Sequence, residues 1–137
     1  AQVRHGATTA ANSTTADNYA AASEYLATMA HSAHREVVLK GLVDFDQLEP
    51  LEKYTFDSLM AGWITLAESA FISQKAELMH QDEMETWGFY IRTRYLAYPG
   101  MQQWWSESKD SFVPAAQKWI EEQTSRADMN SDYWGIK

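Results

Sequence analysis

The chain of 137 residues has no cysteine, three prolines and six glycines. Without thiols there is no disulfide, no cysteine nucleophile and no thiolate metal site. A run of about 18 apolar residues is also missing, so no segment of the chain crosses a bilayer as a helix. Positive charge is scarce: 11 Lys and Arg stand against 19 Asp and Glu, a formal charge of -8. A surface of that sign is repelled by phosphate backbones and by anionic headgroups, which makes nucleic acid a poor partner. Catalytic signatures are absent as well. No nucleophile elbow, phosphate-binding glycine loop or zinc-protease motif occurs, and no serine sits in a motif that would activate it. The expectation is a non-enzymatic protein without a cofactor.

What the chain does have is bulky apolar residues at helical spacing, densest between Trp63 and Trp119. A chain of this length suits one domain around one core. Residues Ala1 to Ala16 are Ala, Thr, Ser and Asn-rich without apolar periodicity, and are expected to be an arm, helical or frayed. The bundle is expected over residues 17–127 and a polar tail over 128–137. From Asp17 a stripe of Tyr19, Ala22, Leu26, Met29, Ala33 and Val37 predicts one helix ending at Gly41. Asp46 with Glu49 is a candidate capping pair, and Pro50 suits the first turn of a long second helix reaching to about Met79. That helix is apolar over a wide arc, with Phe56, Leu59, Met60, Trp63, Ala67, Ala70 and Phe71 on one side and Ile64 and Ile72 on another.

Asp82 with Glu85 predicts a second capping box, opening a helix whose stripe is Met84, Trp87, Gly88, Ile91, Tyr95 and Tyr98. Tyr98-Pro99-Gly100 must break it, because proline disfavours helical geometry in the residue before it. A short helix with Trp104 and Trp105 follows, then a second break at Ser111 to Pro114 and a last helix with Ala116, Trp119, Ile120 and Gln123 facing inward. No strand alternation is present. The fold class is all-α: an antiparallel bundle with two long central helices, an N-terminal helix and short C-terminal helices.

Two constellations carry possible chemistry. Glu77-Leu78-Met79-His80 has the Glu-x-x-His spacing of carboxylate-bridged metal bundles, and His31 and His34 form a second pair. A di-metal bundle needs two such Glu-x-x-His pairs, and one is present. In a hairpin turning near Asp46 the two histidine pairs also lie far apart along the helix axes. Surface histidines and no metal site are expected. The second constellation is aromatic: Trp63, Trp87, Trp104 and Trp105 lining a cleft, with Gln74, Arg92 and Arg94 as polar contacts, would hold a small ligand between helices. The competing expectation is that the tryptophans fill the core and the arginines pair or solvate.

The opening Ala1-Gln2-Val3-Arg4-His5, the step Lys40-Gly41-Leu42, the segment Leu48-Glu49-Pro50-Leu51-Glu52 with Phe56, then Glu68, Gln74, Trp87, Pro99-Gly100, Trp104-Trp105 and Phe112 together resemble a large group of uncharacterised bacterial proteins. In that group a Gln-Ile-Arg-x-Asn-Thr step follows an N-terminal transmembrane helix; here His5-Gly6-Ala7 stands where Asn-Thr is usual. The resemblance implies a small helical domain tethered to the bacterial inner membrane by one helix outside this chain. Arg4 just after that span favours the cytoplasmic side. It implies no activity and no site residue. The expected role is an interaction or sensory domain with a protein partner or self-association. The alternative is a soluble ligand-binding bundle that uses the aromatic cleft.

Overall fold

A computed structural model describes residues 2–77 and 80–137, with side chains from Thr14 onward. Among these residues the chain forms six α-helices and no strand, the all-α bundle expected: α1 (Gln2–Ala30), α2 (Arg35–Val43), α3 (Pro50–Lys75), α4 (Gln81–Arg94), α5 (Pro99–Ser108) and α6 (Pro114–Arg126). Single 3₁₀ turns at Phe45–Gln47 and Lys109–Ser111 link α2 to α3 and α5 to α6. The central element is α3. It packs against α1, α2, α4 and α6, and presents Phe56, Met60, Trp63, Ile64, Ala67 and Ala70 to the core, each at most 2% exposed. Ile72, expected on an apolar face, is half exposed.

The single first helix expected from Asp17 to Gly41 is instead two. His31-Ser32-Ala33-His34 forms a turn in which the Arg35 N–H donates to the His31 carbonyl at 3.0 Å and the Ala33 N–H to His31 Nδ1 at 3.2 Å. The bend lets α1 lie on α3 while α2 turns to meet α5. Gly41 therefore does not terminate a helix; it is buried inside α2, where a Cβ would collide with the Phe56 ring. Asp44 caps the end of α2 with its N–H on the Lys40 carbonyl.

Both expected capping pairs are also displaced. The Asp44 carboxylate accepts from the Asp46 N–H at 3.1 Å, which commits Asp46 to the 3₁₀ turn. Glu49, the last extended residue, caps α3 instead: its N–H donates to Glu52 Oε1 at 2.9 Å, and Pro50 occupies the first turn. The Glu49 N–H, then the Lys40 ammonium at 3.0 Å, hold the Glu52 carboxyl below its ordinary pKa. At α4 the N-cap is His80, with extended backbone; Asp82 already lies inside the first turn, where its charge suits the helix dipole but cannot cap.

The two breaks expected in the second half are present, with Pro99 and Pro114 each in the first turn of a new helix. Ala116, Ile120 and Gln123 are buried as expected, and Trp119 is half-buried against Phe71. The polar tail is docked. Asp132 Oδ1 accepts from the Tyr98 hydroxyl and from the Ile136 N–H, both at 2.9 Å, while the Tyr98 oxygen accepts from the Trp134 N–H at 2.8 Å. The Lys137 ammonium donates to the carbonyls of Ala97, Met129 and Ser131 at 2.6 to 2.7 Å.

Candidate functional site

The aromatic residues build the site. Trp63 on α3 is the hub: its ring stacks on Trp87 at 5.5 Å and on Tyr25 at 6.3 Å, and it meets Tyr90 at 6.1 Å and Tyr95 at 5.8 Å. Tyr90 and Tyr95 lie 6.2 Å apart, and Tyr95 meets Trp134 of the tail edge-on at 6.5 Å. Helical spacing on α4 places Trp87 and Tyr90 toward the same neighbours. The bend after Arg94 then turns Tyr95 inward, its N–H held by the Ile91 carbonyl.

This aromatic floor lies under a groove. One hollow of about 370 Å³ is walled by Leu26, Met29 and Ala30 of α1, by Arg35, Val38, Leu39 and Leu42 of α2, and by Tyr90, Tyr95 and Trp134. A smaller hollow of about 140 Å³ continues from it along α1, between Tyr19, Ala22 and Ser23 on one side and Trp63, Thr86 and Trp87 on the other. Leu26 and Tyr90 border both, and these two adjoining apolar hollows beside α1 make up the furrow. Its size falls within the range of small-molecule sites.

The polar features of the furrow are few. Tyr95 is 4% exposed, and burial, reinforced by Tyr90 nearby, pushes its phenol well above the ordinary value against the opposing pull of Arg94. Burial raises the Tyr90 phenol too, again opposed by Arg94. Neither phenol owes any of its shift to a hydrogen bond, in contrast to Tyr98, where Trp134 and Asp132 both contribute. Both hydroxyls are therefore neutral donors near pH 7. Among the described residues, Arg35 is the only charged side chain on the larger hollow.

The seven cleft residues named from sequence do not converge on one pocket. Trp63 and Trp87 border the furrow while lying almost wholly in the core. Trp104 is 1% exposed and donates its indole N–H to Asp57 at 2.8 Å; Trp105 is buried against Phe112, ring centroids 5.6 Å apart. Gln74 lies on a different, polar hollow of about 410 Å³ between α3, α4 and α6. Arg92 donates to Gln123 on that side at 2.6 Å, and burial, then Arg126, lower its pKa. Arg94 stacks over Tyr133 at 3.9 Å and Tyr90 at 4.7 Å. The furrow's other members were legible only as core stripes (Leu26, Met29, Tyr95) or not at all (Arg35, Val38, Leu39), because the turn at His31 to His34 that angles α2 away from α1 contains neither Gly nor Pro. His31, Glu77 and His80 are exposed, and no three metal-ligating side chains come together among the described residues.

No protein-family model, curated protein or solved structure matches the chain.

Proposed function

We propose that the chain is the non-enzymatic interaction or sensory domain of a membrane-tethered bacterial protein, anchored through a helix that precedes Ala1. The observation carrying this reading is the course of α1, a single helix from Gln2 to Ala30, about 44 Å at 1.5 Å per residue. An arm of Ala, Thr, Ser and Asn is a weak helix by composition alone. Continuity with a preceding span gives such an arm a reason to be helical, and the Gln2-Val3-Arg4 step has the character of a span's exit. The same helix forms one wall of the furrow through Ala22, Leu26 and Met29. An occupant of the furrow and the membrane anchor thus meet on one helix, which is the arrangement a sensory domain needs.

The test is fractionation of cells expressing the full-length gene product. Recovery in the membrane fraction, resistant to salt and released by detergent, is the expected result. Recovery in the soluble fraction overturns the tether. In that case the second reading, a soluble ligand-binding bundle, takes its place on the strength of the furrow.

A further inference from the structure

We propose that the patch formed by Phe89, Arg92 and Arg94 of α4 with Tyr133 and Trp134 of the tail docks an acidic segment of a partner protein, carboxylates on the arginines and an apolar side chain on the rings. The inference rests on the reading of the chain as an interaction domain, and not on the tether. The patch is contiguous. The Arg94 guanidinium carbon lies 3.9 Å from the centre of the Tyr133 ring, 4.7 Å from that of Tyr90 and 5.8 Å from that of Phe89, and the Arg92 guanidinium lies 5.8 Å from Phe89. Trp134 meets Tyr133 edge-on at 4.9 Å, and its indole N–H donates to the Arg94 carbonyl at 2.7 Å. The rings are open to solvent: Phe89 and Tyr133 are each 54% exposed and Trp134 37%. Contiguous exposed aromatics mark interaction surfaces, and tryptophan, tyrosine and arginine carry most of the binding energy where proteins meet.

Charge selects the occupant. The chain has 19 Asp and Glu for 11 Lys and Arg, yet among the described residues neither Arg92 nor Arg94 has a carboxylate within salt-bridge distance. Glu85 acts on Arg92 from beyond that distance, and Arg126 opposes it. The acceptors the two arginines do have are neutral: Gln123 Oε1 at 2.6 Å for Arg92 and the Thr93 hydroxyl at 2.8 Å for Arg94. Asp132, next to Tyr133, commits its carboxylate to the Tyr98 hydroxyl and to the N–H groups of Ile136 and Lys137. A guanidinium has five N–H donors, so both arginines keep donors for an incoming carboxylate. A second copy docked on the same patch about a two-fold axis would set arginine against arginine. A bilayer is disfavoured by the charge of -8 and by position: Trp134 lies with Met29 and Ala30 at the end of α1, about 40 Å along that helix from Gln2, where the anchor would join.

The probe is the acetylated and amidated hexapeptide Asp-Glu-Phe-Glu-Asp-Leu, titrated to millimolar concentration into the isotopically labelled 137-residue chain while its backbone, arginine Nε–H and indole N–H resonances are followed. Asn-Gln-Phe-Gln-Asn-Leu is the uncharged control. The expected result is a saturable shift confined to Phe89, Arg92, Arg94, Tyr133, Trp134 and their chain neighbours, weakened by added salt. Affinity falls about tenfold for the control peptide and about tenfold in Arg94→Gln. Phe89→Ser, at an exposed ring outside the core, lowers it about fivefold with the thermal midpoint unchanged, and so tests the patch even where Arg94→Gln loosens the tail. Shifts on other surfaces leave an interaction domain standing and overturn this patch. Absence of binding, equal binding of the two peptides, or parental affinity in both variants overturns it as well. Sedimentation with phosphatidylglycerol vesicles, or dimerisation in the ultracentrifuge, that is lost in Arg94→Gln while the peptide does not bind overturns it in favour of a bilayer or a second copy.

Discussion

Replacing Gly100 by alanine tests how the two halves of the bundle are joined. Gly100 opens α5 just after Pro99, and it packs on Gly41 of α2 with no side chain between the two backbones. A Cβ on Gly100 would fall inside the van der Waals envelope of the Gly41 carbonyl oxygen, and would lie 2.7 Å from the Leu42 oxygen and 2.9 Å from the Gly41 carbonyl carbon. All three are backbone atoms, so no rotamer relieves the collision; α2 and α5 must separate by on the order of 1 Å to restore ordinary contact. Helix propensity favours alanine by at most about 1 kcal/mol. Overpacking costs about 1 to 3 kcal/mol where side chains can yield, and more where backbone must. The net expectation is a loss of about 3 kcal/mol, a large share of the stability of a domain this size, with a melting temperature lower by about 10 °C. Urea denaturation followed by helical circular dichroism measures it. Gly62→Ala is the comparison: its Cβ meets the hydroxyl end of Tyr25, which can swing away at the expense of its 2.6 Å hydrogen bond to the Leu59 carbonyl, for a loss of about 1 kcal/mol. A Gly100→Ala variant within about 0.5 kcal/mol of the parent, or one no worse than Gly62→Ala, would refute the close backbone contact between α2 and α5.

Two further outcomes are expected. Trp87→Ala removes a ring that is 5% exposed and stacked on Trp63, for a loss of about 3 to 5 kcal/mol in the same denaturation assay; near-parental stability would place that ring on an open surface. The docking of the tail depends on acid. Desolvation raises the Asp132 carboxyl, but the N–H of Ile136, the Tyr98 hydroxyl and the N–H groups of Lys137 and Gly135 outweigh it and hold its pKa below the ordinary value. A depressed folded pKa gives stability that is present above the unfolded value, about 3.9, and lost as pH falls through the folded one. Trp134 fluorescence and the backbone resonances of residues 132–137 should therefore report release of the tail below about pH 4, and at neutral pH in Asp132→Asn. A tail that stays docked in both conditions would show that Lys137 and Trp134 hold it without Asp132.

The breaks at Pro99 and Pro114, the inward face of α3 and the burial of Met84, Trp87 and Ile91 follow from residues within a few positions of each other. Proline restricts its own backbone and that of the residue before it, and apolar spacing selects a helix face, wherever the helix later packs. That is why the all-α class and most of the core were legible in the chain. The turn at His31 to His34 carries no such local mark. Its residues tolerate a helix, and the bend exists because α1 settles on α3 while Gly41 must meet Gly100, 59 positions away in sequence. The caps shifted for a related reason: Asp44, Asp46 and Glu49 are all competent caps, and the 3₁₀ turn that buries Phe45 decided which backbone N–H each one faces. The furrow follows from that bend. Its walls are drawn from α1, α2, α3, α4 and the tail, and Tyr95 reads in sequence as one more stripe residue, because periodicity reports that a side chain faces inward and not which hollow it borders. Local chemistry determined the helices of this protein. Packing between residues distant in sequence decided where they leave a space, and which side chains line it.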